Sequence, residues 1–504
     1  MAASSPHHRN LTRPLRIALA TGVALVVAGT LAAPGAHAAP AQAPAAGAAQ
    51  PRDDFDGDGY ADLAVAAPTA TVGGKKGAGY VAVLYGSANG LRTSSRQVIH
   101  QNTAGVPGGV ETGDGFGSAL TTADVDRDGY ADLVVGAGGE DTDDGGVDAG
   151  LVEVLWGGPQ GLSGGAKLAS GRDTYDGLGS AGRLTAGDVN GDGGPDVVTV
   201  ENRHDLRVLK GPFGRDGAGA GGEQVVKDVY DSRVLDLAAG DVNGDGLTDI
   251  VATENDGDEY DARRVVYWLG NRTALNPFTL VYDIDGAGLQ GGENLDVGDV
   301  NADGYDDIVV GRAVDGYDSD LDNPYVKGGR VAWIPGTPKG PDGVRAVFLN
   351  QDRPGVPGTA ESGDGFGTDV HIGDVDGDGY PDVVTGVPGE DLGSVSGAGA
   401  VVVLRGTANG LTGTGATTVT QNTATVPGTA EKDDRFGGAV HLGDTDGDGR
   451  ADLAVGAPGE NSGAGSVWYF RSTPMTVVGS AGTFGVGTLG TVAAGAKLGA
   501  SFTD

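Results

Sequence analysis

Seven times the chain places oxygen-bearing side chains at positions 1, 3, 5 and 9 of a nine-residue stretch, with glycine at position 6 for a sharp bend. A hard cation of calcium size requires such a set, with a backbone carbonyl at position 7 completing it. The first copy offers Asp54, Asp56, Asp58 and Asp62 with the Tyr60 carbonyl, and the second Asp124, Asp126, Asp128 and Asp132 with Tyr130. The third offers Asp188, Asn190, Asp192 and Asp196 with Gly194, and the fourth Asp241, Asn243, Asp245 and Asp249 with Leu247. The fifth offers Asp299, Asn301, Asp303 and Asp307 with Tyr305, and the sixth Asp374, Asp376, Asp378 and Asp382 with Tyr380. The seventh offers Asp444, Asp446, Asp448 and Asp452 with Arg450.

An ordinary hairpin turn explains one Asp-Gly pair, not four oxygen donors at fixed offsets in every copy. Zinc would call for His or Cys, and the loops hold neither. Magnesium demands near-octahedral geometry and gives up water reluctantly. The expected cofactor is therefore Ca2+, up to seven ions.

The 504 residues carry 33 Lys and Arg against 69 Asp and Glu, a net charge of -36, which excludes nucleic-acid binding through a basic patch. The absence of cysteine removes disulfides, thiol catalysis and zinc–thiolate sites. Rigidity must then come from packing and from bound metal.

Arg9, Arg13 and Arg16 precede an apolar stretch from about Ile17 to Ala33, followed by Ala36-His37-Ala38. This is the pattern of a secretory signal peptide over residues 1–38, cut after Ala38. An Ala- and Pro-rich spacer over 39–52 follows, a composition that builds no core. The expected product is secreted, monomeric and free of the membrane after cleavage.

Each acidic loop is followed by two short β-branched runs bounded by glycine, such as DLVVGAG and GLVEVLWG, and no segment sustains a helical period. With one strand ahead of the loop and a variable fourth behind, each repeat becomes a four-stranded antiparallel blade. The expected fold is all-β, a seven-bladed β-propeller over residues 53–504, closed by a C-terminal strand that completes blade 1. The strand around Phe484-Gly485, which has no acidic loop behind it, is the candidate for that closure.

Phe116-Gly117, Phe366-Gly367 and Phe436-Gly437 before loops 2, 6 and 7, and Gly456-Ala457-Pro458 after loop 7, resemble the FG-GAP repeat of integrin α-subunit head propellers. Ala66-Ala67-Pro68 and Gly386-Val387-Pro388 are weaker echoes. Repeats 3 to 5 depart from the pattern, although repeat 3 keeps Leu178-Gly179. The resemblance implies metals on one rim of the disc, ligand contacts on the other, and a role in cell adhesion.

In a four-stranded blade the loops between strands 2 and 3 lie opposite the acidic loops. There the candidate ligand contacts are Asn202, His204, Asn255, Tyr260, Arg312 and Tyr317, in the repeats that depart most from the norm, because loops on a rigid scaffold carry recognition. The expected partner is an extracellular protein or glycan. A polysaccharide-active hydrolase or lyase on the same scaffold is the alternative, although no nucleophile-elbow, zincin or phosphate-loop motif is present. Trp268 and Trp333 are expected to fill blades. His371 and His441, each three residues before an acidic loop, are expected to pack rather than catalyse.

Overall fold

The computed structural model describes residues 53–228, 232–255, 263–315 and 326–503. The expected signal peptide and spacer, and the candidates Tyr260 and Tyr317, lie outside them.

Short Val-, Ile- and Leu-rich runs separated by glycine turns form seven antiparallel sheets of four strands. Blade 2 is representative, with an inner strand Phe116–Ala123, a second Asp132–Ala137, a third Leu151–Trp156 and an outer Ser163–Ser170. The second and third strands are buried on both faces, which is why they read as unbroken apolar runs. The outer strand mixes exposed, half-buried and buried residues.

Alternate residues of one strand serve different neighbours. Leu63 and Val65 pack toward blade 7 together with Phe484 and Leu498, whereas Ala64 and Ala66 pack toward blade 2 with Phe116 and Leu133. The core is accordingly divided into clusters, one for each pair of adjacent blades. Trp268 and Trp333 are buried fillers in this core, as expected.

The ring closes at the C-terminus, but not with the segment the sequence suggested. Phe484-Gly485 ends Thr476–Gly485, the outer strand of blade 7, where Phe484 pairs with Val467. The strand that completes blade 1 is Ser501–Phe502, with Val65 opposite Phe502 and Ala66 opposite Ser501. The residues ahead of it, Leu498-Gly499, take the place of Phe-Gly. Leu498 bridges to Gly465 in parallel as Phe436 does to Gly399 and Leu178 to Gly150. Gly499 has φ 81°, and a Cβ on it would lie 2.9 Å from Gly456 Cα, so this position requires glycine whichever apolar residue precedes it.

Candidate metal centres and the opposite face

In blades 2 to 7 the acidic loop joins the inner strand to the second, in blade 1 it leads into the second strand alone, and in each its own carboxylates shape it. In loop 2, Asp124 Oδ1 accepts from the Asp128 amide at 3.0 Å and Oδ2 from Gly129 at 3.0 Å. Asp126 Oδ1 accepts from Asp128 N at 3.2 Å, and Asp128 Oδ1 from Tyr130 N at 3.1 Å. Loop 5 repeats the set through Asp299, Asn301 and Asp303. Glycine at position 6 permits the bend, with φ of 93° at Gly129 and 89° at Gly304.

Position 9 sits at the base of the loop. Asp132 accepts from Val125 N at 3.0 Å and from Gly157 N, beyond the third strand, at 2.8 Å. Asp62 makes the equivalent pair with Phe55 and Gly86, each at 2.9 Å. In blade 5 the Trp333 indole supplies one donor, Nε1 to Asp307 Oδ2 at 2.9 Å. Burial, with smaller repulsion from loop carboxylates, pushes Asp62 up to about 9, and Asp132, Asp249 and Asp307 to about 7. Asp196, Asp382 and Asp452 rise to about 6 for the same leading reason. A site that strains to keep its carboxylates charged favours a cation that neutralises them.

The fit to a divalent ion is best in four loops. One oxygen from each of Asp54, Asp56 and Asp58 lies within 4.8 Å of the others, and the same holds for Asp124, Asp126 and Asp132. Asp374, Asp376 and Asp382, and Asp444, Asp446 and Asp448, form two more such groups. All-oxygen sets of this spacing suit a hard divalent cation. In loops 3 to 5 position 3 is an amide. Asn190 Nδ2 donates to both Asp196 oxygens at 3.3 and 3.2 Å, Asn243 Nδ2 to Asp245 at 3.2 Å, and Asn301 Nδ2 to Asp303 at 3.0 Å. These loops carry one negative charge fewer and pull less strongly on a cation.

Arginines border every three-carboxylate group. Arg405 Nη1 lies 3.1 Å from Asp376 and 2.8 Å from Asp382, and Arg471 at the same repeat position contacts Asp446. Arg215 reaches from blade 3 to Asp126 at 2.5 Å and to Asp128, with its guanidinium over the Trp156 ring at 4.9 Å. Arg92 stands 4.0 Å from Asp58. The shared position of Arg405 and Arg471 in the third strand of repeats 6 and 7 was the available sequence signal. Arg215 gave none, because it acts on the neighbouring blade.

The loops are also chained to one another. The position-8 amide of a loop donates to the position-1 carbonyl of the preceding one: Ala131 to Asp54 at 3.0 Å, Thr248 to Asp188 at 3.0 Å, and Asp306 to Asp241 at 3.0 Å. Ala451 donates to Asp374 at 2.8 Å, and Ala61 to Asp444 at 3.0 Å. The two remaining junctions, from blade 2 to 3 and from 5 to 6, have Pro195 and Pro381 at position 8, which carry no N–H. Side chains interlock as well. A Cβ on Gly57 would lie 2.5 Å from Tyr130 Cε1, one on Gly244 2.6 Å from Tyr305 Cε1, and one on Gly191 2.5 Å from Leu247 Cδ2. Position 4 of one loop is thus the seat for position 7 of the next. Where the next residue is Gly194, position 4 is Arg127 instead.

At the opposite end, the candidate ligand residues belong to consecutive blades. Asn202 is left-handed at φ 54°, and its amide donates to Asp176 Oδ1 at 2.5 Å. His204 sits with Nδ1 3.2 Å from Asp205 Oδ1. Asn255 ends the second strand of blade 4, paired with Arg233 and Arg263. Arg312 is fully buried, with Nη1 donating to Gly291 O at 3.4 Å, and so is not presented to solvent. A charged network surrounds this end of blade 3. Arg172 contacts Glu201 at 2.8 Å and also Glu223, and Arg207 Nε donates to Glu223 Oε2 at 3.1 Å. His441, 3% exposed, donates from Nδ1 to Thr503 O at 3.1 Å and lies edge-on to His371, which fits packing.

The FG-GAP repeat profile matches residues 52–84, 116–155, 366–404 and 436–470, which are blades 1, 2, 6 and 7. An FG-GAP-like repeat profile matches residues 241–310, across blades 4 and 5. The chain is 44% identical over 90 residues to integrin alpha-IIb of Homo sapiens, 18% of this chain and 8% of that protein. It is 35% identical over 208 residues to the phosphatidylinositol-glycan-specific phospholipase D of Rattus norvegicus, 38% of this chain and 22% of that protein. It is 29% identical over 203 residues to integrin alpha-5 of Xenopus laevis, 38% of this chain and 17% of that protein. The chain therefore spans less than a quarter of the length of each of these relatives. FG-GAP repeats in blades 1, 2, 6 and 7 and the FG-GAP-like match across blades 4 and 5, carried on seven four-stranded blades, are consistent with an integrin-like FG-GAP propeller.

Proposed function

We propose that the chain is a secreted, calcium-loaded propeller that recognises an extracellular protein or glycan with the end opposite its acidic loops. Four groups of three convergent carboxylates support the metal, and calcium suits them because it accepts seven or so oxygens in flexible geometry. The observation that carries the binding reading is the division of the ring. One rim is taken up by loops chained into their neighbours, and the other presents the polar network of Arg172, Glu201, Glu223 and Arg207 on blade 3. Export through residues 1–38 would place the protein where calcium is plentiful.

The test is binding of the labelled mature chain to arrays of extracellular proteins and glycans, in calcium and in chelator. Expected is a ligand whose binding is lost in chelator and weakened at least tenfold by Arg172→Ala with unchanged melting. Binding indifferent to that substitution and to others at that end would contradict the reading. The N-terminus of chain recovered from culture medium should be Ala39, and retention of residues 1–38 would exclude processing.

A further inference from the structure

The connections that enter blades 2, 6 and 7 share one pattern. The first has Gln101, the turn Val106-Pro107-Gly108, then Glu111 and Asp114 ahead of Phe116, and the others repeat it from Gln351 and from Gln421. Three residues past the second strand of each of these blades stands a glutamate, and the connection folds around it. Gln101 Nε2 donates to Glu140 Oε2 at 2.6 Å, Gln351 to Glu390 at 2.7 Å and Gln421 to Glu460 at 2.9 Å. The turn glycine is seated on the same pair, since a Cβ on Gly108 would lie 2.5 Å from Gln101 Nε2 and 3.0 Å from Glu140 Oε1. The far end of the connection is fixed by backbone: Gly139 N donates to Asp114 O at 2.9 Å, Gly389 to Asp364 at 2.8 Å and Gly459 to Asp434 at 3.1 Å.

Gln101, Gln351 and Gln421 are 4%, 5% and 3% exposed, and each leaves its Oε1 buried without a hydrogen-bond donor. Leaving a buried acceptor so is costly. The carboxyl already bonded to the amide can supply the donor once it is protonated. A carboxylic acid and a primary amide pair through two hydrogen bonds, N–H to one carboxyl oxygen and O–H from the other, whereas a carboxylate only accepts. In blade 7 Glu460 also hydrogen-bonds Asp434, a contact between two carboxyls that itself needs a proton. The charges facing Glu140 are Asp114 and Glu111 of the connection and Glu153 of the third strand. Those facing Glu390 are Glu361 and Asp391, and those facing Glu460 are Asp434 and Glu431. All are negative, and the cation Lys75 bears on Asp114.

We propose that Glu140, Glu390 and Glu460 are proton-operated latches, which in acid tie the three connections to the blades they enter and in mild alkali release them. Burial, aided by the negative neighbours, outweighs the donors Gln101 and Gly109 and pushes Glu140 up to about 7. Glu460 rises to about 7 and Glu390 in the same direction, again chiefly through burial. Each tie is therefore fully made below the ordinary glutamate value of 4.5 and is lost as pH rises through the folded value. Beyond that value each pH unit favours release by about tenfold. The three connections lie at the end opposite the acidic loops, so the surface there changes with pH whatever it binds.

The test is hydrogen–deuterium exchange of the full chain in millimolar calcium at about pH 6 and about pH 8.5, corrected for intrinsic exchange. Expected is a loss of protection of at least about tenfold at the higher pH in residues 101–114, 351–364 and 421–434. Residues 281–293, the connection into blade 5 that lacks the pattern, should not respond. Glu140→Gln keeps both hydrogen bonds to Gln101 at any pH, so residues 101–114 should stop responding while the other two connections continue to. Equal protection at both pH values in wild type would overturn the proposal, as would an unchanged response of residues 101–114 in that variant. Should Glu140→Gln fail to fold, Glu390→Gln puts the same question to residues 351–364.

Discussion

Gly57 is glycine because of a residue in the next blade: its missing side chain is where Tyr130 lies, and its φ is 70°. Gly57→Ala should therefore cost at least about 1–2 kcal/mol, from the left-handed backbone and the clash together, read as a lower melting temperature. The same substitution at Gly59, which has positive φ but open space around it, should cost less. A second residue-scale prediction concerns Glu153, fully buried with neither carboxylate oxygen hydrogen-bonded. Burial, with repulsion from Glu140, holds its pKa well above 4.5, so the folded chain keeps a proton that the unfolded chain sheds. Its contribution is fully present below about pH 4.5 and is lost as pH rises toward the folded value, by about 1.4 kcal/mol per pH unit. Glu153→Gln should flatten that slope and raise the melting temperature at pH 8 more than at pH 5. A gain of equal size at both pH values would show that Glu153 is not protonated in the fold. Glu254, raised to about 8 mainly by burial, should behave alike over its own window.

At the scale of elements, the acidic loops act as links between blades as well as candidate cradles for ions. Pro195 and Pro381 are already accommodated at position 8, so Ala131→Pro isolates the loss of one donor, the bond to Asp54 O. It should destabilise by about 1 kcal/mol, and no change in chemical denaturation would mean the link is without weight. The closing strand is a stronger lever. Phe502, 4% exposed, packs in the cluster between blades 7 and 1, and Phe502→Ala should cost about 3–5 kcal/mol. The blades were legible because one acidic nonapeptide is followed each time by two apolar runs. The closing strand was misplaced because Phe484-Gly485 carries the letters of the motif while Leu498-Gly499 carries its geometry. The acidic loops could be located from the sequence, since the carboxylates that such a group requires are local in it; four of the seven bring three carboxylates together. The arginines that border them could not all be read, because Arg215 and Asp128 are 87 residues apart.

Across the whole molecule the ring falls into two arcs. Blades 6, 7, 1 and 2 carry the three-carboxylate groups and the FG-GAP matches, while blades 3 to 5 carry Asn at position 3. The proline junctions lie at both seams between the arcs. Each ion held tenfold above its dissociation constant adds about 1.4 kcal/mol to folding, so several together reach the usual stability of a whole domain. The measurement that bears most directly on this is calorimetric melting of the mature chain in millimolar calcium, in excess chelator, and after calcium is restored. Expected is a fall of about 10 °C or more in chelator, recovered on adding calcium back. A melting temperature unmoved by chelator would contradict the claim that cations in the acidic loops hold the propeller together.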